Sequence, residues 1–195
     1  MHESSACEPE AGLRARLVEA GVELLAREGV QALTLRAIAR RAGVSHGAPR
    51  RHFPTHLELL SAIARRGFAE LGRSVAADDD TATPRARLTD LGHVYLRFAL
   101  DNPDMYELMF RHDLLESGHL GLRDTGLPLF ARLVELVGRV RPDADARLVA
   151  GALWASLHGI AQLWGRGGLQ PATGSDDFVP LLRSVLDAHL GPEDG

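Results

Sequence analysis

The chain has 195 residues, of which 45% are hydrophobic and 25% are charged, and these ordinary values argue against an intrinsically disordered protein. Its 22 basic side chains are all arginine, and the formal net charge is -4. A single cysteine excludes both an intramolecular disulfide and a cysteine-rich metal site.

The N-terminal segment and the apolar stretches indicate where the chain works. The opening "MHESSACEPEAG" carries acids and lacks the basic start and apolar core of a secretory signal. Apolar stretches such as "LVAGALWASL" are much shorter than the roughly 18 residues that a membrane span requires. We therefore expect a disordered tail over residues 1–11, no membrane association and a cytoplasmic location.

Basic charge is concentrated near the N-terminus. Residues 12–71 hold ten arginines against five glutamates, whereas the remainder of the chain is acidic. Within this region, residues 34–56 contain five arginines, three histidines and no acidic residue. A solvated helical face usually mixes the two signs, so a segment of one sign indicates contact with phosphate.

The first predicted elements are a long helix and two short ones. Apolar residues recur at spacings of three and four from Leu13 to Glu28, which predicts an amphipathic helix. Thr34 is a candidate N-cap for the short helix in "LRAIARRA". Gly43 then predicts a turn with positive φ, and Ser45 is a second N-cap candidate. This order is the layout of a helix-turn-helix.

The third helix is predicted over about residues 46–52, with Phe53 as its anchor in the core. Pro49 falls in or just after the first turn, where a helix tolerates proline because few backbone hydrogen bonds are lost. Thr55 is a candidate cap for a fourth helix, which closes the small domain near Leu71.

The remainder of the chain also shows helical periodicity. The acidic, aperiodic segment "SVAADDDTATPR" predicts a domain boundary at residues 74–85. Residues 112–126 are expected to be irregular or only partly helical. Further helices are predicted over about residues 85–100, 127–140, 143–164 and 177–190. We therefore predict an all-α chain, with a helix-turn-helix domain over 12–71 and a larger helical domain over 85–195.

The stretch "LTLRAIARRAGVSHGAPRRHFPTHLELL", with the long first helix and the acidic helical remainder, resembles the TetR family of bacterial transcriptional regulators. The stretches "NPDMYELMF" and "LWASLHGIAQLW" are similar to a subgroup whose ligand domain carries Trp, His and Gly, here Trp154, His158 and Gly159. The resemblance implies a homodimer that binds a near-palindromic operator in double-stranded DNA. A small-molecule effector would release this repressor from its operator, and no cofactor is expected.

The resemblance also implies which residues contact DNA. Thr34 and Arg36 fall where the second helix of the family meets the DNA backbone, and residues 45–48 fall where the recognition helix approaches bases and phosphate. The full expected set is Thr34, Arg36, Ser45, His46, Gly47, Ala48, Arg50, Arg51 and His56. Arg40 and Arg41 are open to two interpretations, phosphate contact or pairing with Glu23 or Glu28.

Two positions depart from the family pattern. Arg50 stands where family members usually have tyrosine, and it either strengthens a phosphate contact or reaches guanine, since guanidinium suits both. His56 replaces a lysine and weakens the phosphate contact, because imidazole is largely neutral near pH 7. The rival hypothesis is therefore a helical ligand-binding or dimerisation protein that has lost operator binding.

The predicted helix over residues 143–164 is apolar on almost every side, which requires burial on more than one face. Small residues spaced by four allow a second helix to approach closely. Together with the last helix, they predict a two-fold dimer contact, the alternative being the core of a monomer. The expected interface residues are Gly151, Ala155, Gly159, Leu182, Val185 and Leu186.

Aromatic and methionine side chains of the second domain are candidates for an effector pocket or for plain core. The candidate residues are Tyr95, Phe98, Met105, Met109, Phe110, Trp154 and His158. Such a lining favours an apolar or aromatic effector. The sequence lacks the spacing of a serine hydrolase motif, a zinc-protease motif or a phosphate-binding glycine loop, so we do not expect an enzyme.

Overall fold

The computed structural model describes residues 7–76, 82–111 and 122–192, and these residues form helices joined by turns. A 3-10 turn at Val30–Ala32 follows the first helix. The α-helices are α1 (Cys7–Glu28), α2 (Leu35–Arg41), α3 (Ala48–His52), α4 (His56–Ala76), α5 (Pro84–Asp101), α6 (Pro103–Met109), α7 (Leu122–Val140), α8 (Ala146–Gly165), α9 (Leu169–Thr173) and α10 (Val179–Leu190). No strand occurs in these ranges, which confirms the all-α class, and no described helix is long and apolar enough to cross a membrane.

The chain divides into two compact units. The first unit comprises Met1–Phe68 and Asp104–Arg123, and the second comprises Ala69–Pro103 and Asp124–Gly195. The division falls inside α4 and again within the first turn of α6, so most of α6 belongs to the first unit. Of the acidic segment singled out in the sequence, residues 74–76 are the end of α4, and residues 77–81 lie outside the described ranges.

The first unit is built on α1, α2 and α3, which pack against one another. Leu17, Ile38 and Ile63 are fully buried, and Phe53 is the predicted core anchor with 1% of its surface exposed. Gly21 permits α1 to approach α4, because a Cβ atom at this position would overlap the side chain of Ile63. The apolar side of α1 therefore packs against the two short helices, α2 and α3, that follow it.

Local signals in the turn region are confirmed at two positions and wrong at a third. Thr34 caps α2, since its Oγ1 accepts a hydrogen bond from the amide of Ala37 at 3.1 Å, and Gly43 has the positive φ of 67°. Ser45 does not cap α3. Its carbonyl accepts from the amide of Ala48 at 3.0 Å, so the chain makes one more turn and the N-cap position falls on Gly47.

The second unit is built on α5, α8 and α10, which also pack against one another. Gly92 lets α5 approach α10, because a Cβ atom there would lie 2.6 Å from Cδ1 of Leu182. Arg85 fastens α5 to the end of α10, with donor distances of 2.5 Å to a carboxylate oxygen of Asp187 and 2.8 Å to the carbonyl of Gly191.

Helix α8 begins later than predicted, at Ala146 rather than Asp143. The carboxylate of Asp145 accepts hydrogen bonds from the amides of Arg147 and Leu148 and so provides the cap. Asp143 instead pairs with Arg141 at 3.2 Å, and the hydrogen bond from this guanidinium lowers the pKa of the Asp143 carboxyl.

Other helix boundaries also differ from the predictions. Helix α1 starts at Cys7, so residues 7–11 of the expected tail are helical, and residues 1–6 lie outside the described ranges. Helix α7 starts at Leu122 within the expected irregular segment, of which residues 112–121 are not described. The short α9 was not predicted, since its five residues are too few to show periodicity.

Candidate nucleic-acid interface

The exposed basic side of the helix-turn-helix is the candidate interface, and we call it the reading face. It is formed by the start of α2, the turn before α3 and α3 itself. Its exposed members are Thr34, Arg36, Ser45, His46, Gly47, Arg50 and Arg51, and Ala48 is half-buried beside them. The structure thus places eight of the nine residues expected to contact DNA on neighbouring elements.

The apolar sides of the two short helices explain why these residues are exposed. In α2, Ile38 and Ala39 are fully buried, which turns Arg36 and Arg40 outward. In α3, the burial of Pro49 likewise turns Arg50 and Arg51 outward. The position of the arginines therefore follows from which side chains fill the core.

Four exposed arginines on and beside the reading face carry charge that no described carboxylate neutralises. Among the described residues, no carboxylate forms an ion pair with Arg36, Arg40, Arg50 or Arg51. Arg41 differs, because it pairs with Glu23 at 2.5 Å, which is the second of the two interpretations given for it above. A positive surface of this kind attracts the phosphates of nucleic acid.

Two arginines of α1 support the reading face and were not found from the sequence. Arg16 donates a hydrogen bond to the carbonyl of Ala42 at 2.9 Å, just before the glycine turn. Arg14 lies over the ring of Phe53, 4.7 Å from its centroid. The pKa of Arg65 is lowered, first because its guanidinium is partly buried and second because the charge of Arg14 lies nearby. The contact partners are far apart in the sequence, so no local pattern signals them.

Gly47 lies at the N-cap position of α3, and neither backbone strain nor crowding requires a glycine there. Its φ of −84° is accessible to any residue. A Cβ atom at this position would meet no atom of the described residues within 4 Å. The absence of a side chain therefore leaves open surface on the reading face rather than permitting a contact inside the protein.

His56 is the ninth residue of the expected set, and it lies at the start of α4. The structure places its Nε2 in a hydrogen bond with the backbone carbonyl of Leu33, the residue before the cap of α2. Because a carbonyl oxygen can only accept, Nε2 must carry the hydrogen. The imidazole thus links α4 to the start of α2.

The candidate effector residues fall into both units. Met105 and Met109 lie against Gly67 in the first unit, where their sulfur atoms would be 2.8 and 2.6 Å from an added Cβ, and the ring of Phe110 packs edge-on against Phe68. Tyr95, Phe98, Trp154 and His158 belong to the second unit. The indole nitrogen of Trp154 donates to the hydroxyl of Tyr95 at 3.3 Å, and this hydroxyl lies 3.2 Å from Nδ1 of His158.

The candidate dimer residues have two different environments. Leu182 and Leu186 are 1% and 2% exposed within the second unit, so these two side chains belong to its core. Along α8, by contrast, Cβ atoms added at Gly151 and Gly159 would meet nothing within 4 Å in the part of the chain that the structure describes. Ala155 lies between these glycines on α8 and is exposed.

A helix-turn-helix with an exposed basic face, joined to a helical unit, defines a helix-turn-helix transcriptional regulator. The family described as "Bacterial regulatory proteins, tetR family" matches residues 17–63, and the "Tetracyclin repressor-like, C-terminal domain" matches residues 88–188. The chain belongs to the TetR family and is a transcriptional regulator with a DNA-binding domain.

Two relatives that match most of the chain are named as transcriptional regulators, and a solved structure is similar in fold. The transcriptional regulator BetI of Rhizobium meliloti is 35% identical over 186 residues, covering 91% of this chain and 89% of the relative. A transcriptional repressor of Mycobacterium tuberculosis is 29% identical over 180 residues, covering 89% and 85%. A solved structure of a Rhodococcus protein of unknown function is 28% identical with a TM-score of 0.75, covering 97% and 95%.

Proposed function

We propose that the chain is a dimeric transcriptional repressor that binds a near-palindromic operator and is released by a small molecule. The observation that carries this proposal is the reading face. Its exposed arginines lie on the two short helices of the helix-turn-helix and have no carboxylate partner among the described residues. The name of the M. tuberculosis relative supports repression. Operator binding by two reading faces requires a two-fold dimer, because each face occupies one half-site.

In this proposal, α3 enters the major groove. Ser45, His46 and Ala48 approach the bases, while Thr34 and Arg36 contact the backbone on one side of the groove. Arg50 and Arg51 project from α3 and contact phosphate or guanine. Gly47 lets the DNA backbone come close to the start of α3, where none of the described residues fills the space.

The surface proposed for the dimer is the outer side of α8. Leu148 and Leu163 are 72% and 52% exposed at its two ends, and their spacing of three and four from the small residues of α8 places them on one helical face instead of singly. Between them lie the two glycines and Ala155, so a second helix can approach closely. Val185 on α10 adds a half-buried apolar side chain, whereas Leu182 and Leu186 are left out because they are already covered.

The group proposed for effector binding is the hydrogen-bonded set of Tyr95, Trp154 and His158 in the second unit. Trp154 is 38% exposed although its ring packs edge-on against Phe130 at a centroid distance of 6.2 Å. An exposed indole beside a hydroxyl and an imidazole suits an apolar or aromatic molecule with a polar group. Binding there would shift the equilibrium away from the form that holds DNA.

A gel-shift experiment with the DNA that flanks the gene of this protein tests the proposed function. We expect a discrete complex whose affinity falls steeply with salt, by roughly 0.9 log units per log unit of salt for each phosphate neutralised. Compounds that raise the melting temperature in a thermal-shift screen should dissociate the same complex. If no discrete complex forms even at low salt, the chain has lost operator binding and the proposal is wrong.

Replacing the glycine at the start of α3 tests how closely DNA approaches. We expect Gly47→Ala to keep the melting temperature of the wild type, because its φ and its open surroundings accept a methyl group. Affinity for the operator should fall by about 1–3 kcal/mol, the usual cost of crowding a close contact. Gel shift and thermal unfolding together measure both effects.

Gly43→Ala is the matched control, since Gly43 is also exposed in the same turn. Its φ of 67° strains a residue with a side chain, so this variant should lose about 1–2 kcal/mol of unfolding free energy. Wild-type affinity of Gly47→Ala for DNA would mean that the DNA backbone does not approach this position.

A further inference from the structure

We infer that His56 is a positioning residue that orients the start of α2 for DNA, rather than a phosphate contact. This inference rests on the proposed function, because it assigns a role within the reading face. It differs from the sequence expectation, which placed His56 among the residues that touch DNA. The observation behind it is the hydrogen bond from Nε2 of His56 to the carbonyl of Leu33.

The neutral imidazole ring, once bound to Leu33, is a poorer partner for phosphate than a lysine would be. In the neutral ring one nitrogen donates and the other accepts. In this neutral form Leu33 takes the donor nitrogen, so the nitrogen that remains, Nδ1, presents a lone pair. A lone pair faces the oxygen atoms of phosphate unfavourably, since these also only accept. A lysine at this position would offer three donors and could serve both partners.

The hydrogen bond acts on the peptide group that precedes the cap of α2. The carbonyl side of this group, from Leu33, receives the imidazole, and its amide side, from Thr34, donates to the carbonyl of Ala32 at 2.7 Å. Both ends of the peptide plane are therefore held. Thr34 in turn caps α2 through Ala37, and Arg36 follows two residues later on the exposed side.

The start of α4 is held firmly enough to serve as a support. The hydroxyl of Thr55 accepts from the amide of Glu58 at 3.2 Å and caps α4. Leu59 and Ile63 are fully buried, so the first turns of α4 are anchored in the core of the first unit. His56 thus transmits a fixed position from α4 to Thr34 and Arg36.

The test compares His56→Ala, which removes the donor, with His56→Gln, whose amide nitrogen can replace Nε2. We expect His56→Ala to bind operator DNA about tenfold more weakly, the upper range for one hydrogen bond. The slope of affinity against salt should stay at the wild-type value, because the imidazole itself neutralises no phosphate and Arg36 keeps its charge beside the DNA. His56→Gln should recover most of the affinity. A shallower salt slope for His56→Ala, or no recovery of operator affinity in His56→Gln, would overturn the inference.

Hydrogen exchange tests the same role without DNA. In His56→Ala, the amide of Thr34 should exchange about tenfold faster than in the wild type, since its peptide plane is no longer held at the carbonyl side. His46→Ala is the control, because it removes an exposed histidine of the reading face but leaves this peptide plane untouched. Unchanged exchange of the Thr34 amide in His56→Ala would contradict the inference. Failure of the wild type to bind DNA would instead refute the proposed function.

Discussion

The Arg50→Ala variant is expected to bind operator DNA more weakly than the wild type by about 1–3 kcal/mol. Arg50 is exposed on α3, and no described carboxylate pairs with it, so its guanidinium is available to DNA. Guanidinium can bind either phosphate or guanine in bidentate fashion. Affinity measured against salt and against a set of operator variants separates the two partners.

Each partner of Arg50 has its own signature. Loss of a phosphate contact weakens all sequences alike and lowers the salt slope by roughly 0.9. Loss of a guanine contact relaxes the preference at one operator position. Arg73→Ala is the matched control. Arg73 is exposed on α4 in the second unit, and its replacement removes the same charge at a site outside the reading face. Equal binding by Arg50→Ala and wild type would exclude Arg50 from the interface.

The Leu163→Arg variant is expected to be a monomer. Leu163 is 52% exposed at the end of the α8 surface proposed for the dimer, so the substitution does not disturb the core of the second unit. In a two-fold dimer it would bury two unpaired charges, and a single uncompensated charge costs about 3–5 kcal/mol. Analytical ultracentrifugation should detect the monomer, and operator affinity should fall because the half-sites are bound independently.

Leu127→Arg provides the control for this experiment. Leu127 is 53% exposed on α7, which matches Leu163 in exposure and in the charge introduced, but it lies outside the proposed surface. We expect this variant to remain a dimer and to bind the operator with wild-type affinity. A dimeric Leu163→Arg would place the contact between subunits elsewhere.

Signals that act within a few residues were predicted best. The N-cap at Thr34 and the positive φ at Gly43 depend on neighbouring backbone groups, and both were predicted from residue type. Ser45 was assigned wrongly as a cap for a related reason. Serine and glycine in this turn are both compatible with an N-cap. No residue type signals the additional turn that moves the N-cap position from Ser45 to Gly47.

Contacts from side chains to the backbone of distant residues were not predictable. Arg16 reaches the carbonyl of Ala42, and His56 reaches that of Leu33, yet backbone carbonyls carry no side-chain signature. The effector candidates show the same limit. Met109 and Tyr95 look alike as apolar helix positions, but the first packs in the first unit and the second in the other.

The sequence by itself determined the helical class, the helix-turn-helix and the basic segment that marks it, because periodicity, caps and charge are properties of neighbouring residues. Only the tertiary structure decided that Arg41 pairs with Glu23 and that Leu182 belongs to the core. It also showed that His56 bonds to the backbone. Which partner a side chain meets depends on how the helices pack, and packing brings together residues that no local pattern relates.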